Sequence, residues 1–421
     1  LLFRDAAENI EKRSDQLAFE RVFFCGFNAL SRSEESIMQH FVSIDKAEML
    51  WDADRFYMDY EKHEAGMFLR RNLKSFGGTE QSVTNTLIGQ KKTITMAAAP
   101  NEVAQTDLMA QLLEHSEKHA QTAVVLANQN LLTPVLNALP DSVKSANVTM
   151  GLNTRHSPLH TLFELLFEWI NARTPEGRYH YRYATRLLGH PYLNFSEKFS
   201  RAARKFVAKI KRQNKVFLDV DTIVDLAGDD DVLKLFKLIS IPESTAANQL
   251  KAQFGLMDFV IRSMGSGDGY ALEKEYLFHY LQTLRRIERL VERFPTELGG
   301  EAYARIFGSL TAADKLNFVG EPLEGVQVMG MLETRALDFE NLIILSCNEH
   351  VMPGSSSQQT LIPFELKKYY QLPTHTEKEA IYAYYFYRLL QRSKKVHLIY
   401  STDTSHWQGA EPSRYLAQLR Y

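Results

Sequence analysis

Between Lys198 and Lys215 the chain carries eight cations, Lys198, Arg201, Arg204, Lys205, Lys209, Lys211, Arg212 and Lys215, with no acid between Glu197 and Asp219. Spread over about five helical turns, such a stripe would neutralise phosphates and make nucleic-acid binding steeply salt-dependent. The alternative is a solvated helix face. Upstream, Arg178-Tyr-His-Tyr-Arg-Tyr183 interleaves basic and aromatic groups, which suits stacking on unpaired bases, although packing at the start of a helix is the simpler account. Asp52 and Asp54 form an Asp-x-Asp pair at the end of an apolar run. Two carboxylates so placed look like ligands for a divalent cation, but a helix N-cap is the commoner use, and Asp54 is well placed to cap the segment that follows. No Gly-x-x-x-x-Gly-Lys-[Ser/Thr] loop occurs, and the one glycine-rich run, Gly265-Ser-Gly-Asp-Gly269, has no lysine and reads as a helix-ending loop. Neither a Glu…Asp-x-Lys nuclease constellation nor a His/Cys cluster at metal-ligand spacing is present. No catalytic residue, metal or cofactor is assigned on these grounds.

These residues must be held by more than one core, because 421 residues exceed an ordinary single domain. Hydrophobic content of 45% fills such cores, yet no uninterrupted apolar run reaches the ~18 residues of a membrane span, so no membrane partner is expected. A net charge of −2 means that any nucleic-acid contact rests on local patches. Cys25 and Cys347, the two cysteines, stand at the ends of apparent buried strands, which points to a reducing cytoplasm. The chain opens mid-helix without a methionine, as a piece of a longer protein would.

From residue 20 to 165, strand-like and helix-like segments alternate as in a parallel sheet with crossover helices. Arg21 to Phe27 reads as a buried strand, Ser33 to Phe41 as a helix, Ala47 to Trp51 as a strand and Asp54 to Leu73 as mostly helix. A linker, Gly77 to Lys92, precedes strands at Thr93 to Ala97, Thr122 to Ala127 and Asn147 to Met150. From about 157 to 315 the period becomes 3.6, giving helices at Leu159 to Ala172, Arg182 to Leu187, Phe195 to Arg212, Ser244 to Met264, Glu273 to Phe294 and Ala302 to Leu310. The α/β pattern then resumes with strands Val326 to Met329 and Leu342 to Leu345, joined by a polar loop that projects Glu333, Arg335 and Asp338 beside the sheet end. A helix, Thr376 to Gln391, and a strand, Val396 to Tyr400, follow.

Six segments, in order, resemble motifs of UvrD-type superfamily 1 DNA helicases. Val22-Phe-Phe-Cys-Gly-Phe-Asn-Ala-Leu30 stands at the Walker B strand, with Cys25 and Gly26 where Asp and Glu are usual. Ala47 to Tyr57, carrying Asp52 and Asp54, is similar to motif III, and Phe68 to Ser75 to motif IV, with Lys74 at its arginine. Ala123 to Asn130 resembles the strand that opens domain 2A. Val326 to Pro353 resembles motif V with Gly330, Leu332, Arg335 and Ala336 at its Thr, His, Lys and Gly, while Leu337, Asp338, Phe339, Glu349 and Pro353 keep the frame. Glu379 to Ser393 resembles motif VI, with Gln391 at the Thr and Arg392 at the arginine.

The departures are closest in style to the AddB and RecC kind of helicase-related subunit, and the Leu-Glu-Thr-Arg-x-Leu-x-Phe loop and Glu411 to Leu416 look like AddB. The resemblance implies an α/β fold of P-loop-helicase-like parallel sheets. It divides the chain into 1–90 as part of a 1A domain, 91–158 and 321–421 as the halves of a 2A domain, and 159–320 as a helical 2B-type insertion. A nuclease domain lies further C-terminal in that family. The function implied is an inactivated scaffold for DNA double-strand-break processing, binding single- or double-stranded DNA at break ends and an AddA-like helicase-nuclease partner. Nucleotide hydrolysis needs a carboxylate to hold Mg²⁺ and order water, which Cys25 and Gly26 cannot supply. Arg335 and Arg392 stand where the family senses the γ-phosphate. They could be relics, ion-pair partners or nucleotide contacts, and ion pairing is favoured by Glu333 and Asp338 beside Arg335 and by Arg388 before Arg392. The rival expectations are a working ATPase with an upstream P-loop and a protein-interaction module without a DNA role.

Overall fold

The structure, a computed structural model, describes residues 2–14, 19–77, 83–116, 118–228, 230–265, 268–294, 298–318, 324–354, 361–370, 372–405 and 410–420. The chain forms two compact units, one from Leu1–Met150 with Phe318–Tyr421 and the other from Gly151–Asn317. Among the described residues no helix is long and apolar enough to cross a membrane.

The first unit is α/β. Its strands β1 (Thr93–Ala99), β2 (Thr122–Leu126), β3 (Ala146–Val148), β4 (Val326–Gly330), β5 (Asn341–Leu345) and β6 (Lys395–Ser401) make one sheet in the order β1-β6-β5-β2-β4-β3. Every pairing is parallel. All of β2 and β4 is buried, as continuous apolar runs are when helices cover both faces of a parallel sheet. Residues of β2 pair on one side with β5 (Ala123 opposite Leu342, Val125 opposite Ile344) and on the other with β4 (Val124 opposite Val328). The sheet is therefore continuous across a chain excursion of some two hundred residues.

Two expectations fail in this unit. The strand at Arg21 to Phe27 is Val22–Cys25, pairs only with Ala47–Leu50, and alternates between half-buried and exposed residues. Cys25 is accordingly exposed, whereas Cys347 is buried. A two-stranded ribbon covered on one face cannot bury both sides of a strand. The linker from Gly77 to Lys92 is also more ordered than its composition suggests. Val83–Thr84 pairs in parallel with Ala53–Asp54, and Thr86–Gly89 forms one helical turn. Residues 78–82 of that linker lie outside the described residues.

The second unit is mainly helical around Trp169, Phe206, Phe236, Leu256, Tyr280 and Phe307. Two helices escape the periodicity reading, Val220–Ala227 and Asp230–Ile239. The first was marked in sequence by its ends, since Asp219 accepts a hydrogen bond from Thr222 N and Gly228 closes the helix at φ +54°. Nor is the segment purely helical. Leu152–Asn153 pairs with Lys315–Leu316, and Tyr179–His180 with Phe217–Leu218. Two-residue strands are too short to leave a period in sequence. Of the glycine-rich run, Gly265 ends helix Ala246–Met264 at φ +68°, while residues 266 and 267 lie outside the described set.

Candidate functional site

The densest charged constellation of the first unit gathers at the last turns of helix His375–Gln391, whose N-terminus is fixed by a capping box between Thr374 and Glu377. Arg388 and Arg392, one turn apart, point from this helix and its end toward the turn that follows strand Ala47–Leu50. Arg388 gives Nε to Asp52 Oδ2 at 2.7 Å and Nη1 to Asp338 Oδ1 at 2.7 Å and to the Leu337 carbonyl at 2.6 Å. Arg392 binds the same two carboxylates, through Nη2 to Asp52 Oδ1 at 2.8 Å and Nη1 to Asp338 Oδ1 at 3.3 Å. Only 4% of the Arg388 side chain is exposed, against 33% for Arg392.

Polar groups close the remaining valences. The Gln391 amide, fully buried, donates to Thr84 Oγ1 at 2.7 Å and accepts from the Tyr57 hydroxyl at 3.2 Å. Tyr384 donates its hydroxyl to the Asp52 carbonyl at 3.1 Å. Burial alone would raise the Asp52 carboxyl, but the hydrogen bond from Arg392 and the charges of Arg388 and Arg392 outweigh it and hold the group below the ordinary aspartate range. Arg392 is pushed up in turn, chiefly by its hydrogen bond to Asp52. The arrangement is a closed ionic clasp with its donors facing two carboxylates.

Asp54 has a different task. Its carboxylate is completely buried and accepts from Phe56 N, Thr84 Oγ1, Thr86 N and Leu87 N, so it caps one short helix and anchors the next. The two aspartates therefore do not converge on a shared cation position. Among the described residues no three His, Cys, Asp or Glu side chains gather as a metal site requires.

Arg335 departs from the ion-pair expectation. It makes no salt bridge among the described residues, and its guanidinium lies 4.9 Å from the centroid of the Phe27 ring instead. Glu333 turns the other way, taking hydrogen bonds from Thr149 Oγ1 and Gly330 N, and Asp338 is engaged by the two arginines. Sequence adjacency failed here because the turn through Ala336, at φ +57°, sends neighbouring side chains to different partners. Gly26, at φ +66°, meets that turn, and a Cβ on it would lie 3.4 Å from the Ala336 Cβ. Lys74 is exposed on helix Met67–Phe76, outside the clasp. Arg388, Tyr57, Thr84 and Tyr384 were not singled out as site residues. The available signal was the four-residue spacing of Arg388 and Arg392 within an aromatic run.

In the second unit the cationic stripe occupies helix Glu197–Arg212 and its exit. Its members are not equivalent. Lys198 pairs with Asp231, Arg201 and Arg204 both face Glu197, and Lys209 Nζ donates to the Leu226 carbonyl at 3.1 Å. Lys205, Lys211, Arg212 and Lys215 are exposed and make no ion pair among the described residues. Tyr179 is buried and stacks on Trp169 with centroids 4.0 Å apart, as packing at a helix start would have it.

Beside the clasp, Phe56, Tyr60, His63, Tyr387 and Gln418 line a cavity of about 690 Å³. Burial and the nearby charge of Arg70 press the His63 imidazole down to about 4, and its Nδ1 accepts from Ala65 N at 3.3 Å. Between pH 6.5, its ordinary value, and about 4 the unfolded chain takes up a proton that the native chain refuses. Stability should fall with pH across that window and this contribution should level off below it. His160, His190 and His397 are depressed by burial and act in the same direction. The expected result for His63→Asn, which keeps an acceptor for Ala65 N but cannot titrate, is a shallower fall in urea midpoint from pH 6.5 to 4. An unchanged slope would exclude His63 as a contributor.

No protein-family model matches this chain, and no curated protein is significantly similar to it.

Proposed function

We propose that this chain is a helicase-like scaffold of the AddB type that binds DNA and a motor partner without hydrolysing ATP. The observation that carries the reading is the clasp. In an active relative the motif VI arginine must be available to a γ-phosphate, whereas Arg392 here is committed to Asp52 and Asp338. Cys25 and Gly26, at the Walker B carboxylates, add that neither a hard oxygen ligand for Mg²⁺ nor a base for water is supplied at those positions. The left-handed turn at Ala336, where the family pattern has glycine, supports the alignment of the motif V loop. So does the parallel sheet, whose paired strands β3 and β4 flank a largely helical unit in the chain, as a 2A domain with a 2B insertion would. DNA is the preferred ligand because four cations of the Lys198 to Lys215 stretch are exposed and make no close ion pair among the described residues, although Asp219 lies within electrostatic reach of Lys215.

Phosphate release by the complete gene product tests this, with single-stranded and duplex DNA as stimulants. The expected result is no turnover above background. Turnover that Arg392→Ala abolishes would overturn the reading, because it would show the arginine leaving the clasp to serve a nucleotide.

A further inference from the structure

The two sequence features suited to nucleic acid, Arg178–Tyr183 and Lys198–Lys215, are separated by the 14 residues 184–197 in the chain, and a short ribbon brings the start of the first beside the residues that follow the second. The Tyr179–His180 strand pairs antiparallel with Phe217–Leu218, in the register Phe217 opposite His180 and Leu218 opposite Tyr179, and Tyr181 N donates to the Val216 carbonyl at 2.9 Å. Alternation along the ribbon sends Tyr179 and Leu218 into the core, and His180 and Phe217 to the opposite face. Phe217 keeps 44% of its surface exposed. His180 meets the Phe217 ring edge-on at 5.6 Å and stacks with Tyr181 at 4.9 Å, and the Arg178 guanidinium lies 5.4 Å from the Phe217 centroid. Immediately before Phe217 come Lys211, Arg212 and Lys215, all exposed and without an ion pair among the described residues.

We infer that this ribbon and the cations that lead into it form a binding site for single-stranded DNA. Unpaired bases stack on the Phe217, His180 and Arg178 faces while Lys211, Arg212 and Lys215 hold the phosphates. The inference rests on the DNA-scaffold reading and gives it a place and a strand type. An anionic strand is favoured over an apolar protein partner by Arg178 on the ring and by Lys211, Arg212 and Lys215 before it, although Val216 and Val220, near Phe217 in the chain, are also exposed and Arg178 shares its charge with Glu176. The same geometry favours single strands, because a duplex keeps its base faces stacked and would meet the phosphate-binding cations alone.

The probes are a fluorescein-labelled oligothymidylate, an abasic oligomer of equal length, and a duplex, titrated by anisotropy. The wild-type chain should prefer oligothymidylate to the abasic strand. Phe217→Ala should weaken oligothymidylate binding roughly five- to 150-fold, the alanine cost of losing a stacked base, and leave abasic and duplex binding within about twofold. Phe217→Trp should restore it. Phe217→Leu, which keeps apolar packing without an aromatic face, should behave as the alanine variant does, so a folding defect is not mistaken for lost stacking. Equal binding of oligothymidylate and abasic strands by the wild type, or indifference to Phe217→Ala and Phe217→Leu, overturns the stacking site and leaves a DNA scaffold standing. Failure of all three probes to bind overturns both.

Discussion

Replacing Asp52 with alanine should cost the sheet-bearing unit about 1.5–3 kcal/mol, the range for losing hydrogen bonds to a charged group, and less than for a buried charge left wholly unpaired because Asp338 stays on Arg388. Arg388 is the reason. With its side chain 4% exposed it cannot turn to water, and without Asp52 it keeps only Asp338 and the Leu337 carbonyl. Gln391 would lose a further acceptor in Asp52 Oδ1, 3.4 Å away. Arg392→Ala should cost less, about 1 kcal/mol, because Arg392 is one-third exposed and its loss leaves Asp52 still paired with Arg388. Urea midpoints for the two variants, with hydrogen exchange across residues 47–58 and 375–392 to assign the transition, make the comparison. A loss below about 1 kcal/mol for Asp52→Ala would mean that water reaches Arg388 and that the clasp is weaker than its geometry. The pH dependence has a defined sign. The native Asp52 carboxyl lies below its ordinary 3.8, so its contribution is present above that value and is lost as pH falls through the lowered native one.

The second large effect concerns salt. Lys205, Lys211, Arg212 and Lys215 are the cations to reverse, since Arg204 faces Glu197 and its replacement would probe an intrahelical pair. If each of the four meets one phosphate of a single strand, the slope of log affinity against log salt carries about 0.7 per contact, roughly 2.8 together. Over a fourfold rise in salt that amounts to a roughly fifty-fold loss of affinity. The variant with all four changed to Glu should bind weakly at low salt and lose that dependence. Affinity and slope both unchanged, with the circular dichroism of the wild type, would remove DNA from the proposal and leave the protein-interaction reading.

Much of the sheet was readable from residue order alone, and the reason is physical. Thr122–Leu126 and Asn341–Leu345 are continuous apolar runs because both of their faces are covered, so position along the chain carried the whole signal. Asp54 could be read as a cap because capping is local. What could not be read depends on surfaces brought together from afar. Cys25 was expected to be buried, but burial of a strand is decided by what lies over it, and its ribbon is open on one side. Arg388 finds its principal carboxylate 336 residues away, and Arg335 lies over Phe27 rather than beside Glu333, an outcome that no spacing rule contains. The ribbon of Tyr179–His180 and Phe217–Leu218 is likewise too short to announce itself.

The strand order β1-β6-β5-β2-β4-β3 has one further property, concerning time rather than space. The three strands synthesised first, β1, β2 and β3, never touch one another, and each is flanked only by strands synthesised last. A nascent chain that has emerged as far as Asn317 thus holds the whole helical unit, and three strands, of which β2 alone is buried throughout in the finished sheet, without any of their native neighbours. Those strands must wait, with every edge unpaired, for residues after Val326 to be translated, and the sheet then assembles by interleaving the old strands with the new. Contacts of such long range close slowly, and unpaired strand edges with exposed apolar faces make such an unfinished chain prone to aggregate. The helical unit can be finished early, whereas the sheet and the clasp that depends on it are completed together and late.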